Sequence, residues 1–257
     1  MIYACLLSSS VPFAHVLLHS TLNGFAFIQS NKNLTYSREK NMKRLYKFWK
    51  NNRSLIVFII FMSVFRSAVA DWYEIPTGSM KPTIEEGDRI LTDKMAYDLR
   101  IPFTHVSLLR MADPQTGDII VFDSKVADNR LIKRVIGVPG DTIVLENNEL
   151  IINGEKLNYT NLLSNTISSD KMENLNGYKH SIRVANTPSR LSSFDEITIP
   201  EHYYLAMGDN RDNSADSRVI GLIPRDELLG KAERVIVSLD YDNYYLPRTE
   251  RFLKSLE

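Results

Sequence analysis

The sequence predicts a mostly β body that follows an N-terminal membrane helix. Three observations lead to this fold class. An uncharged apolar run, Leu55–Phe65, lies beside a basic stretch. From Ile84 onward, short apolar stretches alternate with turn residues, which is typical of β structure. Residues 158–196 differ from this pattern, because they are rich in Asn and Ser and show little periodicity, so we interpret them as a variable inserted subdomain with strands only hinted at.

Charge is distributed unevenly along the 257 residues. The formal net charge is zero, yet residues 1–70 hold nine Lys/Arg and one acidic residue, so the remainder carries a net charge of −8. An acidic body without a basic stripe argues against nucleic acid as a partner. The single cysteine, Cys5, excludes an internal disulfide.

The segments before the apolar run allow more than one interpretation. Residues 1–41 form either a first membrane span or an extra segment upstream of a true start at Met42, and we favour the second. Residues 42–54 form a basic segment, which the positive-inside rule places in the cytoplasm. The body is then expected on the outer face of the membrane.

The predicted transmembrane anchor covers residues 55–73. A membrane-spanning helix needs roughly 20 residues, so the span must continue past Arg66, whose long side chain can reach the interface. Trp72 and Tyr73 supply an aromatic belt at that end. A buried core helix or a signal-type apolar region is the alternative.

The rest of the chain is assigned to two parts of one β body, residues 74–157 and 197–240, followed by a surface tail over residues 241–257. Within the first part, Ile119–Phe122 reads as a buried strand, and Thr142–Asn153 as a hairpin that turns at Asn147-Asn148.

Neither a metal nor a cofactor is expected. The five histidines show no ligand spacing, and we interpret His180 and His202 as surface residues. No nucleotide-binding loop occurs.

A candidate nucleophile, Ser79, lies in the stretch Ile75–Thr83. Pro76 and Pro82 stiffen both ends of this stretch, and Gly78 permits a turn or a close backbone approach. Such a segment suits a hydroxyl that must be presented to a substrate, although turn chemistry alone favours an ordinary turn.

A candidate base is Lys133, in the strand-like run Leu131–Gly137. A lysine near its free pKa of about 10.4 is protonated at neutral pH and cannot accept a proton. Burial among apolar residues lowers that pKa. Arg134 should then point to the opposite face of the strand. Taken alone, the sequence around Lys133 favours an ordinary strand lysine on an exposed face.

Three blocks in order resemble the bacterial type I signal peptidases, or leader peptidases, of family S26: Ile75–Thr83, Leu131–Asp141 and Gly208–Arg218. The similarity runs from about Phe58 to about Asp240, with a poorly matching middle. It implies a membrane-bound serine protease with a Ser–Lys dyad and a β catalytic domain, related to the repressor-type proteases, that carries an inserted β subdomain.

The resemblance also implies roles for matching residues. Ser79 corresponds to the nucleophile and Lys133 to the general base, while the Ser79 N–H and the Thr77 hydroxyl correspond to the oxyanion hole. Ser214 corresponds to the residue that orients the lysine amine. The remaining matches are the ion pair Asp216 and Arg218, the supporting residues Asp209 and Asn213, and the substrate-pocket residues Ile75 and Ile132, for which core packing is an equal alternative.

The implied reaction is cleavage of signal peptides from exported preproteins after an Ala-x-Ala site, by an enzyme in contact with membrane lipid. Two other functions remain open at this point. One is a Ser–Lys maturation peptidase of the conjugative-transfer kind or a self-cleaving repressor-type protease. The other is a non-catalytic, membrane-anchored β module that binds peptides.

Overall fold

The computed structural model describes residues 13–104, 106–187 and 189–256, with side chains from Arg38 onward except Glu39. The expectations for residues 1–12 lie outside this range. The chain divides into two units at Phe61 and Met62. The described part of the first unit is helical, and the second unit is mostly β, as the sequence predicts.

In the first half of the chain, the described residues form one long helix and nine strands. They are α1 (Phe13–Ala68), β1 (Ala70–Glu74), β2 (Asp88–Asp93), β3 (Asp98–Arg100), β4 (Ser107–Arg110), β5 (Ile119–Ser124), β6 (Asn129–Gly137), β7 (Thr142–Glu146), β8 (Glu149–Ile152) and β9 (Glu155–Lys156).

In the second half, the residues that the structure describes form eight strands, a short α-helix and two 3₁₀ turns. They are β10 (Asn158–Ser164), β11 (Ser168–Leu175), β12 (Tyr178–Ala185), β13 (Phe194–Thr198), β14 (Tyr203–Met207), α2 (Ser217–Ile220), β15 (Ile223–Pro224), the 3₁₀ turn Arg225–Glu227, β16 (Leu228–Asp240), β17 (Leu246–Pro247) and the 3₁₀ turn Thr249–Arg251.

The main sheet has the order β1-β2-β16-β5-β6-β14-β15, with β17 paired to β16. Its pairs are antiparallel. Strand β5 is central, and successive side chains enter different cores. Ile119 and Val121 belong to one apolar cluster, whereas Ile120 and Phe122 belong to another. Because both faces of β5 are buried, its sequence is continuously apolar rather than alternating.

Two further sheets are formed around and within the predicted insertion, residues 158–196. Strands β7, β8 and β9 form a separate four-stranded sheet with β13, and β10, β11 and β12 form a three-stranded sheet. The predicted hairpin is present, with positive φ at Asn147 and Asn148. The predicted limit at residue 158 coincides with the start of β10, whereas residue 196 lies within β13, which pairs with β7.

Helix α1 ends at Ala68, and β1 begins at Ala70. The last residues of the predicted anchor, 70–73, are therefore in a strand that pairs with β2. Within the part of the chain that the structure describes, no helix reaches both the length and the apolarity that a membrane crossing requires.

Residues 241–256 are mostly exposed but are anchored to the β body by two buried residues. Leu256 is buried in the same apolar cluster as Ile75, and Arg251 is buried against Asp88. Arg251 Nη2 lies 2.5 Å from Asp88 Oδ2, and Arg251 Nε donates to Asp88 Oδ1 at 3.0 Å. A buried carboxylate needs a partner of opposite charge. The sequence carries no sign that Arg251 is this partner, because the segment around it is polar throughout.

We predict that Arg251→Leu lowers the free energy of unfolding by roughly 3 kcal/mol, because the substitution leaves the Asp88 carboxylate buried without its cation. The measurement is urea unfolding of the full chain in detergent. Lys125→Leu is the control, since the Lys125–Asp226 pair is exposed to about 70% on both sides. A loss no larger than that of the control would contradict the prediction.

Candidate active site

Ser79 is held in a tight turn between β1 and β2. The Ile75 N–H donates to Asp88 O at 2.9 Å, and the Lys81 N–H donates to Gly78 O at 3.1 Å. Ile75 and Met80 on either side are buried in the core, whereas Ser79 itself is half-buried. The turn is therefore fixed by its apolar neighbours, and the hydroxyl remains accessible.

Lys133 is close to the Ser79 hydroxyl. Its Nζ lies 2.9 Å from Ser79 Oγ and donates to Ile132 O at 2.8 Å. The Lys133 side chain is buried, with 2% of the residue exposed. The two residues are 54 positions apart in the chain and meet because the turn packs against β6.

Burial lowers the pKa of the Lys133 amine from 10.5 to about 8. The carboxylates of Asp216 and Asp209 act in the opposite direction, while Arg218 adds to the lowering. Desolvation outweighs the attraction of the two anions because neither carboxylate contacts the amine directly. A substantial fraction of the amine is therefore neutral near pH 8, and a neutral amine can accept a proton.

Arg134 points away from the cleft that Lys133 faces and is fully buried. Its guanidinium binds Asp209 through two contacts, Nε to Oδ1 at 2.9 Å and Nη2 to Oδ2 at 2.8 Å. Asp209 Oδ2 also accepts from Thr83 Oγ1 at 2.5 Å. Burial by itself would raise the pKa of Asp209, but Arg134 outweighs it and lowers that pKa. Asp209 thereby ties β6 to the segment that carries Ser79.

The structure brings together the predicted pair Asp216 and Arg218. Arg218 Nη2 and Nε bind the carboxylate at 2.7 and 2.9 Å, and Asp216 Oδ2 also accepts from the Gly208 N–H at 2.9 Å. Arg218 Nη1 donates to Leu191 O at 2.7 Å. Asp216 is buried, so this ion pair holds the two ends of the polar loop, residues 208–218, together.

Neither Ser214 nor Asn213 is among the described hydrogen-bond partners of Lys133. Ser214 is buried beside the cleft, yet its Oγ makes no hydrogen bond to Lys133, whose described partners are Ser79 Oγ and Ile132 O. Asn213 is exposed, and its N–H donates to Asn210 O at 3.0 Å within the loop turn. The lysine-orienting role of Ser214 stays a prediction.

A cleft of about 260 Å³ opens beside Ser79 and Lys133. Thr77 lines it on the Ser79 side and is exposed. Ile75 and Ile132 both line the cleft and pack into the adjacent core cluster, so the two interpretations of these residues, wall and core, are compatible.

Two residues of the polar loop, residues 208–218, approach the backbone of the Ser79 turn, and the sequence analysis did not single them out. Asn210 Nδ2 donates to Gly78 O at 2.9 Å, and its N–H donates to Ser79 O at 3.1 Å. A Cβ on Gly208 would collide with Ser79 O and Ser214 Oγ. Only glycine therefore allows this approach. The sequence contained a signal for these two residues, because both lie in the polar block Gly208–Arg218.

The predicted insertion, residues 158–196, also contacts the polar loop, residues 208–218, through buried charged side chains. Arg211 binds Glu173 of β11, with Nη1 to Oε2 at 2.8 Å. His180 of β12 is 6% exposed, so its prediction as a surface residue is wrong. Its Nε2 lies 3.2 Å from Glu173 Oε1, and burial lowers its pKa. The sequence concealed this because Glu173 and Arg211 are 38 residues apart.

Among the described residues, no group of three or more His, Cys, Asp or Glu side chains is arranged to hold a metal ion.

Comparison with known proteins agrees with the resemblance seen in the sequence. Residues 48–237 match the family described as signal peptidase, peptidase S26. Signal peptidase I of Pseudomonas aeruginosa is 37% identical over 199 residues, and the match covers 71% of this chain and 69% of the relative's chain. Signal peptidase I of Buchnera aphidicola subsp. Schizaphis graminum is 31% identical, covering 75% and 76%. A crystal structure of a signal peptidase I from Enterococcus faecalis is 28% identical, with a TM-score of 0.31, and covers 47% of this chain and 97% of its own.

A β body with a serine hydroxyl beside a buried amine fits the class of serine endopeptidases. The chain belongs to the signal peptidase family, peptidase S26.

We predict that Lys133→Met raises the free energy of unfolding at pH 7 by up to about 3 kcal/mol, because the folded protein no longer buries a protonated amine. The pKa of Lys133 is about 8 in the folded protein, whereas its ordinary value of 10.5 applies in the unfolded chain. Between pH 8 and pH 10.5 the unfolded chain therefore binds more protons than the folded protein. Wild-type stability therefore gains from rising pH over this range, and the variant lacks that gain.

The measurement is chemical unfolding of the full chain at several pH values, with Lys81→Met as the control. Lys81 is a nearby lysine paired with Glu86, and its side chain is 32% exposed. Parallel stability curves for wild type and Lys133→Met above pH 8 would contradict the prediction.

Proposed function

We propose that this chain cleaves signal peptides from exported preproteins, with Ser79 as nucleophile and Lys133 as general base. Family membership gives the reaction class. The observation that supports the residue assignment is the 2.9 Å separation of Lys133 Nζ and Ser79 Oγ, with the amine buried and its pKa lowered to about 8. A hydroxyl within hydrogen-bond reach of a neutral amine is the arrangement that general-base activation requires.

The proposed reaction has two stages. Neutral Lys133 takes the Ser79 proton while Oγ attacks the scissile carbonyl carbon, and the resulting oxyanion accepts hydrogen bonds from the Ser79 N–H and the Thr77 hydroxyl. The Lys133 ammonium then returns its proton to the leaving amine as the C–N bond breaks. In the second stage Lys133 deprotonates a water molecule, which attacks the acyl ester. The Lys133 ammonium then returns this proton to Ser79 Oγ as the ester C–O bond breaks.

An unpaired strand edge supports docking of an extended peptide. Strand β14 pairs with β6 at Arg134, Val135 and Gly137, whereas residues 129–133 of β6 have no pairing on that side among the described residues. This free edge lines the cleft together with residues 73–77. A substrate strand that pairs here presents alternate side chains to the cleft walls. The small volume of the cleft suits alanine one and three residues before the cut.

Membrane attachment is part of the proposal. The side chains of the apolar run Leu55–Phe65 are mostly exposed in α1, and such a surface is unusual outside a membrane or an interface. The basic residues before the run indicate a cytoplasmic flank. We therefore infer that this part of α1 attaches the enzyme to the bacterial inner membrane, with the β body on the periplasmic face. Signal peptides and lipid are the proposed partners, without nucleic acid or metal.

We predict that the wild-type chain cuts a preprotein after Ala-x-Ala and that Ser79→Ala does not. The measurement is incubation of each purified chain with a preprotein in detergent, followed by N-terminal sequencing of the product. Ser169→Ala is the matched control, because this serine lies in the inserted region on β11. If Ser79→Ala also cuts, Ser79 is not the nucleophile. If the wild-type chain and Ser79→Ala both fail to cut, a non-catalytic module that binds peptides becomes the better hypothesis.

We predict that kcat/KM rises about tenfold per pH unit below pH 8 and levels off above it, because only neutral Lys133 accepts the serine proton. Lys133→Met abolishes cleavage at every pH, whereas Lys81→Met leaves the profile in place. A pH-independent rate between pH 6 and pH 8, or inhibition by a chelator, would contradict this assignment.

A further inference from the structure

The peptide unit between Gly78 and Ser79 decides where the Ser79 N–H points. This unit is trans, and in a trans peptide the carbonyl of one residue and the N–H of the next lie in one plane and point in opposite directions. The direction of the Gly78 carbonyl therefore fixes the direction of the Ser79 N–H. Because the proposed reaction uses this N–H to stabilise the oxyanion, it depends on how the Gly78 carbonyl is held.

Two donors hold the Gly78 carbonyl. Asn210 Nδ2 donates to Gly78 O at 2.9 Å, and the Lys81 N–H donates to the same oxygen at 3.1 Å. Together they use both lone pairs of the carbonyl oxygen. The Lys81 bond closes a local turn, whereas the Asn210 bond comes from the polar loop, 132 positions away in the chain. The orientation of this peptide is thus set partly by a tertiary contact.

The N–H side of the same peptide faces the cleft. Thr77 and Ser79 line the cleft, whereas Gly78 and Asn210 do not. Among the residues that the structure describes, none accepts a hydrogen bond from the Ser79 N–H. The Thr77 hydroxyl is exposed and can rotate about its bond, so the Ser79 N–H is the donor whose direction is set before a substrate arrives.

Glycine makes this peptide easy to turn over. Rotation of the peptide plane changes ψ of Gly78 and φ of Ser79, and a residue without a Cβ adopts backbone angles that other residues avoid. Such a rotation would carry the Ser79 N–H away from the cleft. The Asn210 carboxamide opposes the rotation, because the Gly78 carbonyl would lose this donor.

The polar loop stays attached to the serine turn through backbone bonds that no side-chain substitution removes. The Asn210 N–H donates to Ser79 O at 3.1 Å, and the Asn213 N–H donates to Asn210 O at 3.0 Å. A change of the Asn210 side chain therefore acts on the Gly78 carbonyl and leaves the loop in place.

We propose that Asn210 is a positioning residue of the oxyanion hole. Its carboxamide holds the Gly78 carbonyl and thereby directs the Ser79 N–H at the oxygen that becomes negative during attack. Asn210 acts through the peptide and does not touch the reacting atoms. The oxyanion exists in the transition state and not in the bound substrate, so a misdirected N–H lowers kcat rather than substrate affinity. The inference rests on the proposed function, which supplies the oxyanion.

The kinetic test uses purified full-length variants and a preprotein in detergent. Asn210→Ala removes the donor and is expected to lower kcat about tenfold to hundredfold, with KM within about twofold of wild type. Asn210→Asp has the same shape but presents a negative acceptor to Gly78 O, so its kcat is expected to be lower still. Asn210→Gln keeps a carboxamide and is expected to recover part of the loss. Asn161→Asp, at an exposed position of β10, is the matched control.

A peptide aldehyde that ends at the residue before the cut gives a second measurement, which a merely structural role would not change. Ser79 Oγ adds to the aldehyde carbon, the Ser79 proton passes to Lys133, and the former carbonyl oxygen takes the oxyanion position. Asn210→Ala is expected to lower the affinity for the aldehyde by the same factor as kcat/KM. The affinity for the corresponding peptide alcohol, which has no carbonyl to attack, is expected to stay unchanged.

Three results overturn the inference. The first is an unchanged kcat in Asn210→Ala, and the second is an equal loss of affinity for aldehyde and alcohol, which assigns Asn210 to the shape of the cleft. The third is a shift of the pH profile from its midpoint near 8, which assigns the effect to Lys133.

Two controls keep the outcome readable. Urea unfolding reports whether each variant is folded, and if Asn210→Ala is not, Asn210→Asp and Asn210→Gln make the same comparison. A wild-type chain that cuts no preprotein overturns the proposed function and this inference with it, whereas a cutting wild type with an unaffected Asn210→Ala overturns this inference alone.

Discussion

The buried ion pair between Arg134 and Asp209 connects the three segments that make up the site. Arg134 follows Lys133 on β6, Asp209 lies in the polar loop, and Thr83 of the serine segment donates to the same carboxylate. Two full charges can be buried only when their geometry is good and their remaining hydrogen-bonding atoms are satisfied. Here the Gly117 carbonyl and the Tyr178 hydroxyl accept from Arg134 Nη1. This requirement makes the relative position of strand, loop and serine segment nearly unique.

The same neighbourhood explains how one strand supports two opposite electrostatic environments. Lys133 and Arg134 are adjacent, so their side chains lie on opposite faces of β6. On one face Arg134 has a carboxylate at contact distance and stays charged. On the other, Lys133 has apolar neighbours and anions only at longer range, so its pKa is lowered. A base and a structural cation can therefore occupy consecutive positions.

Much of the candidate site could be predicted because its residues lie in short, dense blocks. Ser79, Lys133 and the pair Asp216 and Arg218 were all identified from such blocks. Other features depend on partners far away in the chain. His180 was expected at the surface, yet Glu173 and the polar loop enclose it, and Leu256 was expected in a tail, yet it completes an apolar cluster. A single isolated residue in a polar stretch carries no local sign of burial.

The sequence alone predicted the mostly β class and the hairpin at Asn147-Asn148, and the motif blocks that carry the family resemblance made Ser79 and Lys133 the candidate pair, because turn chemistry, apolar runs and local motifs are encoded over a few residues. Only the tertiary structure decided that Lys133 Nζ reaches Ser79 Oγ, that Asn210 fixes the serine turn and that β14 leaves part of the β6 edge free. Each of these depends on contacts between distant segments, whose packing and charge pairing no local pattern specifies.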